Sequence, residues 1–581
     1  MQKHSFSKPD IMRLPRKPLF RFIFSLIIGF LFMGKLYPLP PQAILQSDDW
    51  AYDALYTLSR EQGRVFLADS RITVAQMEKH LEEINVNTLS ESGLILYDRL
   101  QEYLKSDYWL GFKSDVISGG MNLILQPELY FKTNEDVPWI YDYNSRNPMI
   151  LVPWGFSLGP WITAEMDLNI GQNEYAATLH DNYVNIPLDP VSQFDIHFPK
   201  RAYVSAGVPV GRASGFNFAI GVGDNFFGKT YTGSVIISEY LKRTPYAQMS
   251  IYSPAFKYTA QIVQYEVNKY HYMHFIETRL HRTVSVSLGE GVIANAPLEL
   301  RFLNPFYIFH SYESYKSYSG YNKDLGHDEE GNRNKDPWDD GYDMIYDSTN
   351  GSRIGSYLGI KIEWQPIRFL RFYGLFAMDQ FQLPIEESNW EESLTPNALA
   401  FQAGIDLSIP VKGGYLEFGL EGVYTYPYMY VLWDKAWSFY REVPEVDNMT
   451  LRYWTGSPFG PDTIAGAFWT GFRGSAGWYG GLSFIFSARG ERSELAIFDV
   501  DKSIDETYRP THKVYTETVP PTGTPIYSST ISLRGEYNPK KWLSLALQPG
   551  YRINVNAGHE EGRIEHGFEI SFSLRFSPPL K

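Results

Sequence analysis

Nine carboxylates crowd one stretch of this 581-residue chain: Asp324, Asp328, Glu329, Glu330, Asp336, Asp339, Asp340, Asp343 and Asp347. Clustered carboxylates can bind calcium, but the spacing is not that of an EF-hand. A solvated acidic loop is the simpler reading. Trp338 and Tyr342 in the same stretch offer apolar faces for a sugar ring, with carboxylates nearby for its hydroxyl edges. His271, His274 and His281 invite a metal reading. On a strand, however, positions three apart face opposite sides, so the first two do not converge. Glu417 and Glu421 could serve as acid and base of a glycosidase. Arg371, Arg534 and Arg575 could equally balance them as lumen ion pairs. No G-x-S-x-G elbow or phosphate loop stands in a suitable strand–helix context. The residue chemistry therefore points to binding, with no enzyme activity, cofactor or metal expected.

These side chains need strands to hold them. Gly567 to Phe576 reads Gly-Phe-Glu-Ile-Ser-Phe-Ser-Leu-Arg-Phe. With a side-chain period of two, Phe568, Ile570, Phe572, Leu574 and Phe576 share one face, and Glu569, Ser571, Ser573 and Arg575 the other. An apolar face toward lipid and a polar face toward a wet lumen is the pattern of a transmembrane β-barrel. It recurs upstream. Leu358, Ile360, Ile362 and Trp364 alternate with Gly359, Lys361 and Glu363, and Leu416, Phe418 and Leu420 with Glu417, Gly419 and Glu421. Phe401 to Ile409 and Ile531 to Tyr537 behave alike. A polar face this rich in charge and glycine fits a crowded lumen better than a dry core.

Composition agrees. Aromatic residues make up 16% of the chain, enough for girdles at two membrane interfaces, and the formal charge is -14. The acidic balance argues against nucleic acid as a partner. The absence of cysteine removes disulfides and cysteine-ligated metals from consideration. At the N-terminus, Lys3, Lys8, Arg13, Arg16, Lys17 and Arg21 precede an apolar run from Phe22 to Gly34. That run is short for a spanning helix and suits an export signal. A signal over residues 1–43, cut near Ala43, leaves a mature charge of -20.

Residues 44–107 differ from the rest. Trp50, Ala54, Leu55 and Leu58 share a helical face. Thr73-Val-Ala-Gln76 is a capping box ahead of Met77, Leu81 and Ile84. Thr88-Leu-Ser-Glu91 reads as a second box, opening a helix with Leu96, Leu100, Tyr103 and Leu104 inward. From residue 108 to 581 the period is two. Gln365-Pro366, Lys412-Gly413-Gly414 and Asn538-Pro539-Lys540 read as short periplasmic turns. Ser311–Ser352, Phe381–Pro396, Tyr430–Pro461 and Phe498–Ile526 read as long extracellular loops. At roughly 25 residues per strand and connection, about 18 strands fit. The predicted fold is a large antiparallel transmembrane β-barrel with a small N-terminal α-helical bundle. Gly228 and Gly233 bracket Thr230-Tyr-Thr232, where a barrel corner is the simpler reading and a turn lining the lumen the other.

Several patches resemble the Wzi capsule-assembly family. They are Leu58-Ser-Arg-Glu-Gln-Gly63, Ser70-Arg-Ile-Thr73 and Met77-Glu-Lys-His-Leu81 in the helical region. In the barrel they are Gly221-Val-Gly-Asp-Asn-Phe-Phe-Gly228 with Thr232-Gly-Ser234, and the Gly456–Gly466 glycine-proline loop. Glu61-Gln62-Gly63 departs from the family's aspartate-arginine-glycine, and the family's tryptophan helix start is missing. The resemblance implies an outer-membrane barrel occluded by its own side chains and loops. It implies a periplasmic bundle and a lectin-like role in holding capsular polysaccharide at the cell surface; the bundle is expected to contact the export machinery or the peptidoglycan side.

The expected function is binding of surface or capsular polysaccharide by a barrel seated in outer-membrane lipid. Loop aromatics Trp338, Tyr342, Trp390, Trp433 and Trp454 are the expected glycan contacts. Arg371, Glu417, Glu421, Arg534 and Arg575 are the expected lumen-closing ion pairs. A porin or substrate-specific channel is the first alternative, and a surface adhesin the second.

Overall fold

The computed structural model describes residues 39–578, except 106–107, 138–146, 173–182, 186–193, 198, 211–213, 242, 296, 299, 305, 310–353, 381–396, 433–434, 436–437, 445–449, 476, 496–518 and 541. The proposed export signal, save Leu39 to Ala43, and the loop residues Trp338, Tyr342, Trp390 and Trp433 lie outside the described residues.

Three helices lead: α1 (Trp50–Gln62), α2 (Val74–Glu82) and α3 (Glu91–Leu104). Asp49 caps α1, and Gly63 ends it in the left-handed region with φ 57°. Thr73 and Gln76 form the expected capping box of α2. The third helix starts two residues later than the Thr88 box predicts. Ser90 is its N-cap, accepting from the Gly93 amide, while Thr88 closes a short 3-10 turn. The Glu61 carboxylate takes the Ser90 amide at 2.5 Å, a long-range bond that local spacing does not encode.

The rest closes into an antiparallel barrel of 18 strands. β1 is an interrupted run (Ile117–Met121, Ile124–Leu125, Glu128–Lys132), followed by β2 (Ile150–Leu158) and β3 (Ile162–Gln172). β4 runs as Phe194–His197 and then Ala202–Val210. Next come β5 (Ser214–Gly223), β6 (Thr244–Tyr252), β7 (Phe256–Glu266), β8 (Lys269–His281) and β9 (Val284–Asn295). β10 (Ile354–Ile367), β11 (Leu370–Gln380), β12 (Ala398–Val411), β13 (Gly414–Thr425) and β14 (Thr463–Gly474) follow. β15 (Trp478–Arg489), β16 (Ile526–Lys540), β17 (Leu543–Val555) and β18 (Ile564–Phe576) complete the ring. β18 pairs back onto β1, with Glu569 opposite Lys132 and Phe576 opposite Leu125. Closure pairs the first and last strands of the ring with each other, and lipid would not tolerate a ring left open.

The two faces fall as the period of two predicts. Phe418, Leu420, Phe484, Ile531, Leu533, Phe568 and Phe572 point out and are exposed, while Glu417, Glu421, Lys361, Glu363 and Glu569 point in and are buried. Stacked outward pairs mark two girdles: Trp364 on Phe372 and Phe472 on Trp478 near one end, Phe486 on Tyr527 near the other. Trp478 and Phe486 are eight residues apart on β15, about 26 Å of strand at ~3.3 Å per residue. Allowing for tilt, that agrees with the ~25 Å apolar band of such barrels.

Two of the three expected turns sit slightly later in the chain. Gln365-Pro366 and Asn538-Pro539-Lys540 belong to the ends of β10 and β16, where register shifts carry each strand past its proline. Lys412-Gly413 is the turn expected, with Gly413 at φ 83°. The short-turn end also carries the helical bundle; the long connections leave from the opposite end.

Candidate functional site

The lumen face is polar, so its contents decide what the barrel does. On the β5–β13 side it is filled from both ends. From the short-turn end, the chain between α1 and α2 enters the barrel. Glu277 of β8 accepts the amides of Asp69 at 3.0 Å and Ser70 at 3.2 Å. Lys257 of β7 donates to the carbonyls of Ser70 at 3.0 Å and Arg71 at 2.9 Å, and pairs with Glu277 at 3.4 Å. Both side chains are at most 1% exposed. Lys361 pairs with Asp69, and Arg71 lies 3.6 Å over the Tyr246 ring. The bundle is thus not simply hung beneath the barrel. Its first loop is bonded to strand residues inside it.

From the other end, the β5–β6 connection folds inward. This is the Gly228–Gly233 segment, and the lumen reading, not the barrel corner, describes it. Gly228 and Gly233 have φ 77° and 97°, conformations that favour glycine. The Gly228 amide donates to the Asp69 carbonyl at 2.8 Å, and Lys229 reaches the Ser47 carbonyl at 2.8 Å and Asp53 at 3.3 Å. The connection packs under the long β13–β14 connection. Tyr430 and Tyr357 both donate to the Val235 carbonyl, and Ser238 donates to that of Thr455. Phe227, Val235, Ile236, Ile237, Tyr428, Met429, Phe439 and Trp454 form one apolar core inside the barrel. Several of the patches that carry the family resemblance meet here or on its supports. Gly63 lies against the Arg368 turn, Ser70 and Arg71 against β7 and β8, and Pro458 against Gly233.

The expected ion pairs separate into two groups. Arg371 binds Asp406 at 2.6 Å, joined by Arg60 of α1 at 3.4 Å, so this pair ties wall to bundle. Glu417 pairs with Arg473 of the next strand at 2.9 Å. Glu421 pairs with no arginine among the described residues. It accepts the amides of Tyr231 at 3.0 Å and Thr232 at 2.9 Å, with Gln402 at 3.0 Å, and so pins the in-folded connection. Arg534 pairs with Glu536 of its own strand, and no carboxylate pairs with Arg575 among the described residues. These two arginines line open space. Trp454, expected as an exposed loop aromatic, ends a short strand (Thr450–Trp454) and is 9% exposed, packed beside Tyr440 and Tyr430. His271 faces the lumen, bonded to Tyr265, while His274 lies on the outer face stacked on Phe309, and His281 bonds Thr283 near a turn.

The open space is a chamber of about 1940 Å³ between the filled half and the wall of β14–β18. It runs from the short-turn end, at Gly474, Lys540, Trp542 and Arg575, to Ile485, Gln548 and Ser571. Beyond that level the inward residues Ser487, Ser528, Thr530, Asn554 and Glu569 are all buried. Tyr231 of the in-folded connection stacks on Trp469 at 4.0 Å, the rings 4° from parallel. Trp469 lies across Gly419 of the neighbouring strand, where a Cβ would meet the indole at 2.0 Å. Tyr103 of α3 donates to Asp49 at 2.5 Å on the chamber's bundle side. Burial pushes the Asp49 carboxyl up, against that bond. Burial likewise pushes Glu239 of the in-folded connection up to about 7. Sequence reasoning missed Trp469, Lys257 and Glu277. A tryptophan on the polar face of an otherwise alternating strand is the signal that marks the first.

No protein-family model matches the sequence, and no curated protein matches it. Among solved structures the chain is similar to Wzi, an outer membrane protein involved in group 1 capsule assembly in Escherichia coli and a carbohydrate-binding β-barrel. The TM-score is 0.51 at 11% identity, covering 91% of this chain and 99% of that one. Pseudomonas aeruginosa OprD matches with TM-score 0.37 at 9% identity, over 79% of this chain and 95% of that one. An anion-selective porin from Comamonas acidovorans matches with TM-score 0.32 at 7% identity, over 80% and 100%. At 11% identity the first likeness is one of fold, and it agrees with the closed 18-strand ring and its apolar outer belt. The chain has the fold of an outer-membrane β-barrel.

Proposed function

We propose that the protein is a non-conducting, non-enzymatic outer-membrane barrel that binds surface polysaccharide and assists its attachment at the cell surface. One observation carries the non-conducting half: the β5–β13 side of the lumen is filled from both ends, and the two fillings join at Gly228 and Asp69. Capsule assembly and carbohydrate binding belong to the fold neighbour, and they motivate the binding half. On this reading the short turns and the bundle face the periplasm, as is usual for such turns, and the bundle's outer face is free to meet export machinery. On the same reading Trp338, Tyr342, Trp390 and Trp433, which lie in the long connections by sequence, are the expected glycan contacts.

The test is surface retention. Deleting the gene should shift cell-bound polysaccharide into the medium without lowering total synthesis, and the intact gene should restore it. Unchanged retention in the deletion strain refutes the reading. A second reading, a substrate-specific channel, is favoured by the chamber beside β14–β18. It requires a conducting path past the inward residues Ser487, Ser528, Thr530, Asn554 and Glu569, which are buried.

A further inference from the structure

The chamber has the furnishings of a binding site. Its volume of about 1940 Å³ exceeds the ~300–1,000 Å³ of a drug-sized pocket, so it suits a short chain of rings better than one small molecule. The flat Tyr231–Trp469 pair gives an aromatic platform. Ser483 and Ser532, bonded to each other at 2.6 Å, sit on the wall with Ser571, Ser573 and Gln548, a surface of hydroxyls and an amide. Two amides of lining residues, Gln126 Nε2 and Asn169 Nδ2, are buried with no hydrogen-bond partner among the described residues. A buried donor without a partner costs free energy unless water or a ligand satisfies it.

The charges choose the ligand. The protein as a whole is acidic, yet the chamber's open end gathers cations: Arg99 and Lys105 of α3, Lys540 of β16 and Arg575 of β18. Glu102, Asp49, Glu417 and Glu536 are among the carboxylates toward that end; Asp49 is bonded by Tyr103, Glu417 is held by Arg473 and Glu536 by Arg534. Arg575 has no paired carboxylate among the described residues. Guanidinium groups suit carboxylate oxygens, which they can grip with two parallel bonds.

We propose that the chamber is an internal binding site for a short acidic saccharide segment, entered from the short-turn end. Its sugar rings lie against Tyr231, which is held in place by its stack on Trp469, and its carboxylates meet Arg575 and Lys540. The proposal rests on the polysaccharide-binding reading and places a saccharide site inside the barrel, in addition to the outer loops.

Tetragalacturonate and maltotetraose serve as acidic and neutral probes, titrated into the detergent-solubilised full chain and followed by calorimetry and tryptophan fluorescence. Tetragalacturonate should bind at least tenfold more tightly than maltotetraose, and its affinity should fall as salt rises. An Arg575→Gln/Lys540→Gln variant should bind it at least tenfold more weakly, as should Trp469→Ala. The first variant alters exposed side chains and carries the test if the second fails to fold, which heat-modifiable gel mobility reports. Equal affinity for both probes, native binding by the double variant, or no binding of either probe by the unmodified protein would overturn the proposal. Loss of binding in a Trp338→Ala/Tyr342→Ala/Trp390→Ala/Trp433→Ala variant, with the chamber variants unaffected, would also overturn it. That outcome would leave the surface-retention reading standing.

Discussion

Replacing Glu277 with glutamine isolates what holds the N-terminal segment inside the barrel. In the native protein this carboxylate neutralises Lys257 at 3.4 Å and accepts three donors, the amides of Asp69 and Ser70 and the Ser70 hydroxyl at 2.5 Å. Glu277→Gln leaves Lys257 buried without that partner, since the nearby Asp69 is already paired with Lys361. Removing one member of a buried ion pair costs roughly 3–5 kcal/mol. The amide oxygen of glutamine still accepts part of the donor set, which puts the loss at the lower end, about 3 kcal/mol. At ~1.36 kcal/mol per decade, local opening of Asp69–Arg71 should become roughly a hundredfold more frequent. Hydrogen exchange of the amides of Asp69 and Ser70, read by mass spectrometry in detergent, measures this directly. The barrel-strand amides supply the internal reference. Lys257→Met should loosen the same amides, and the double variant Lys257→Met/Glu277→Leu should cost less than the two single changes together, because no lone charge remains. Protection at residues 69–71 within threefold of native in Glu277→Gln would refute the reasoning.

Burial holds His80 neutral down to about 3, with the charge of Lys257 adding to the effect and the Leu67 carbonyl opposing it. Its folded value lies below the ordinary 6.5, so the bundle keeps this stability above pH 6.5 and loses it as pH falls toward 3. The loss at pH 5 is about 2 kcal/mol at ~1.36 kcal/mol per unit, and urea unfolding of His80→Gln should lack that slope. Gly233→Val should free the in-folded connection for proteolysis, because φ is 97° and the new Cβ would meet Ser238 Oγ at 2.7 Å and Pro458 Cδ at 2.8 Å. The expected cost is about 1–3 kcal/mol. Gly413→Ala, at φ 83° with nothing within 4 Å, carries the backbone penalty alone and should leave the lumen intact. Mass spectrometry of the membrane-extracted protein should show an N-terminus at or before Leu39, ahead of the expected cut near Ala43. Gln42 bonds Asn217 at 2.9 Å, the Ile44 amide donates to Tyr203 at 2.7 Å, and the Val74 amide to the Ala43 carbonyl at 2.8 Å. A start at Ile44 would contradict that packing.

The barrel itself was plain in the sequence, because lipid outside and polarity inside force a strict alternation, as in Phe568–Phe576 and Leu416–Glu421. Helix positions were nearly as clear, since caps are local. Thr88 misled because a distant carboxylate, Glu61, helps seat Ser90 as the cap. Proline misled at Pro366 and Pro539, where bulges let the strands continue. The contents of the lumen were hidden for a different reason. A polar strand face looks alike whether water or another segment covers it. Glu421 reads as an ion-pair partner and is instead the acceptor for two loop amides. Arg575 reads as a closing charge and faces open space. Only the placement of Asp224–Arg243 and Asp69–Arg71 distinguishes these roles, and it depends on contacts far apart in the chain.

Single-channel recording of the refolded, signal-free protein in a planar bilayer tests the central claim most directly. The filling of the β5–β13 side, with the buried inward residues above the chamber, predicts no steady conductance from protein shown to be folded and inserted. Removing residues 63–72 together with the 226–241 segment should open one. Large, steady conductance from the unaltered protein would contradict the account and make the barrel a channel.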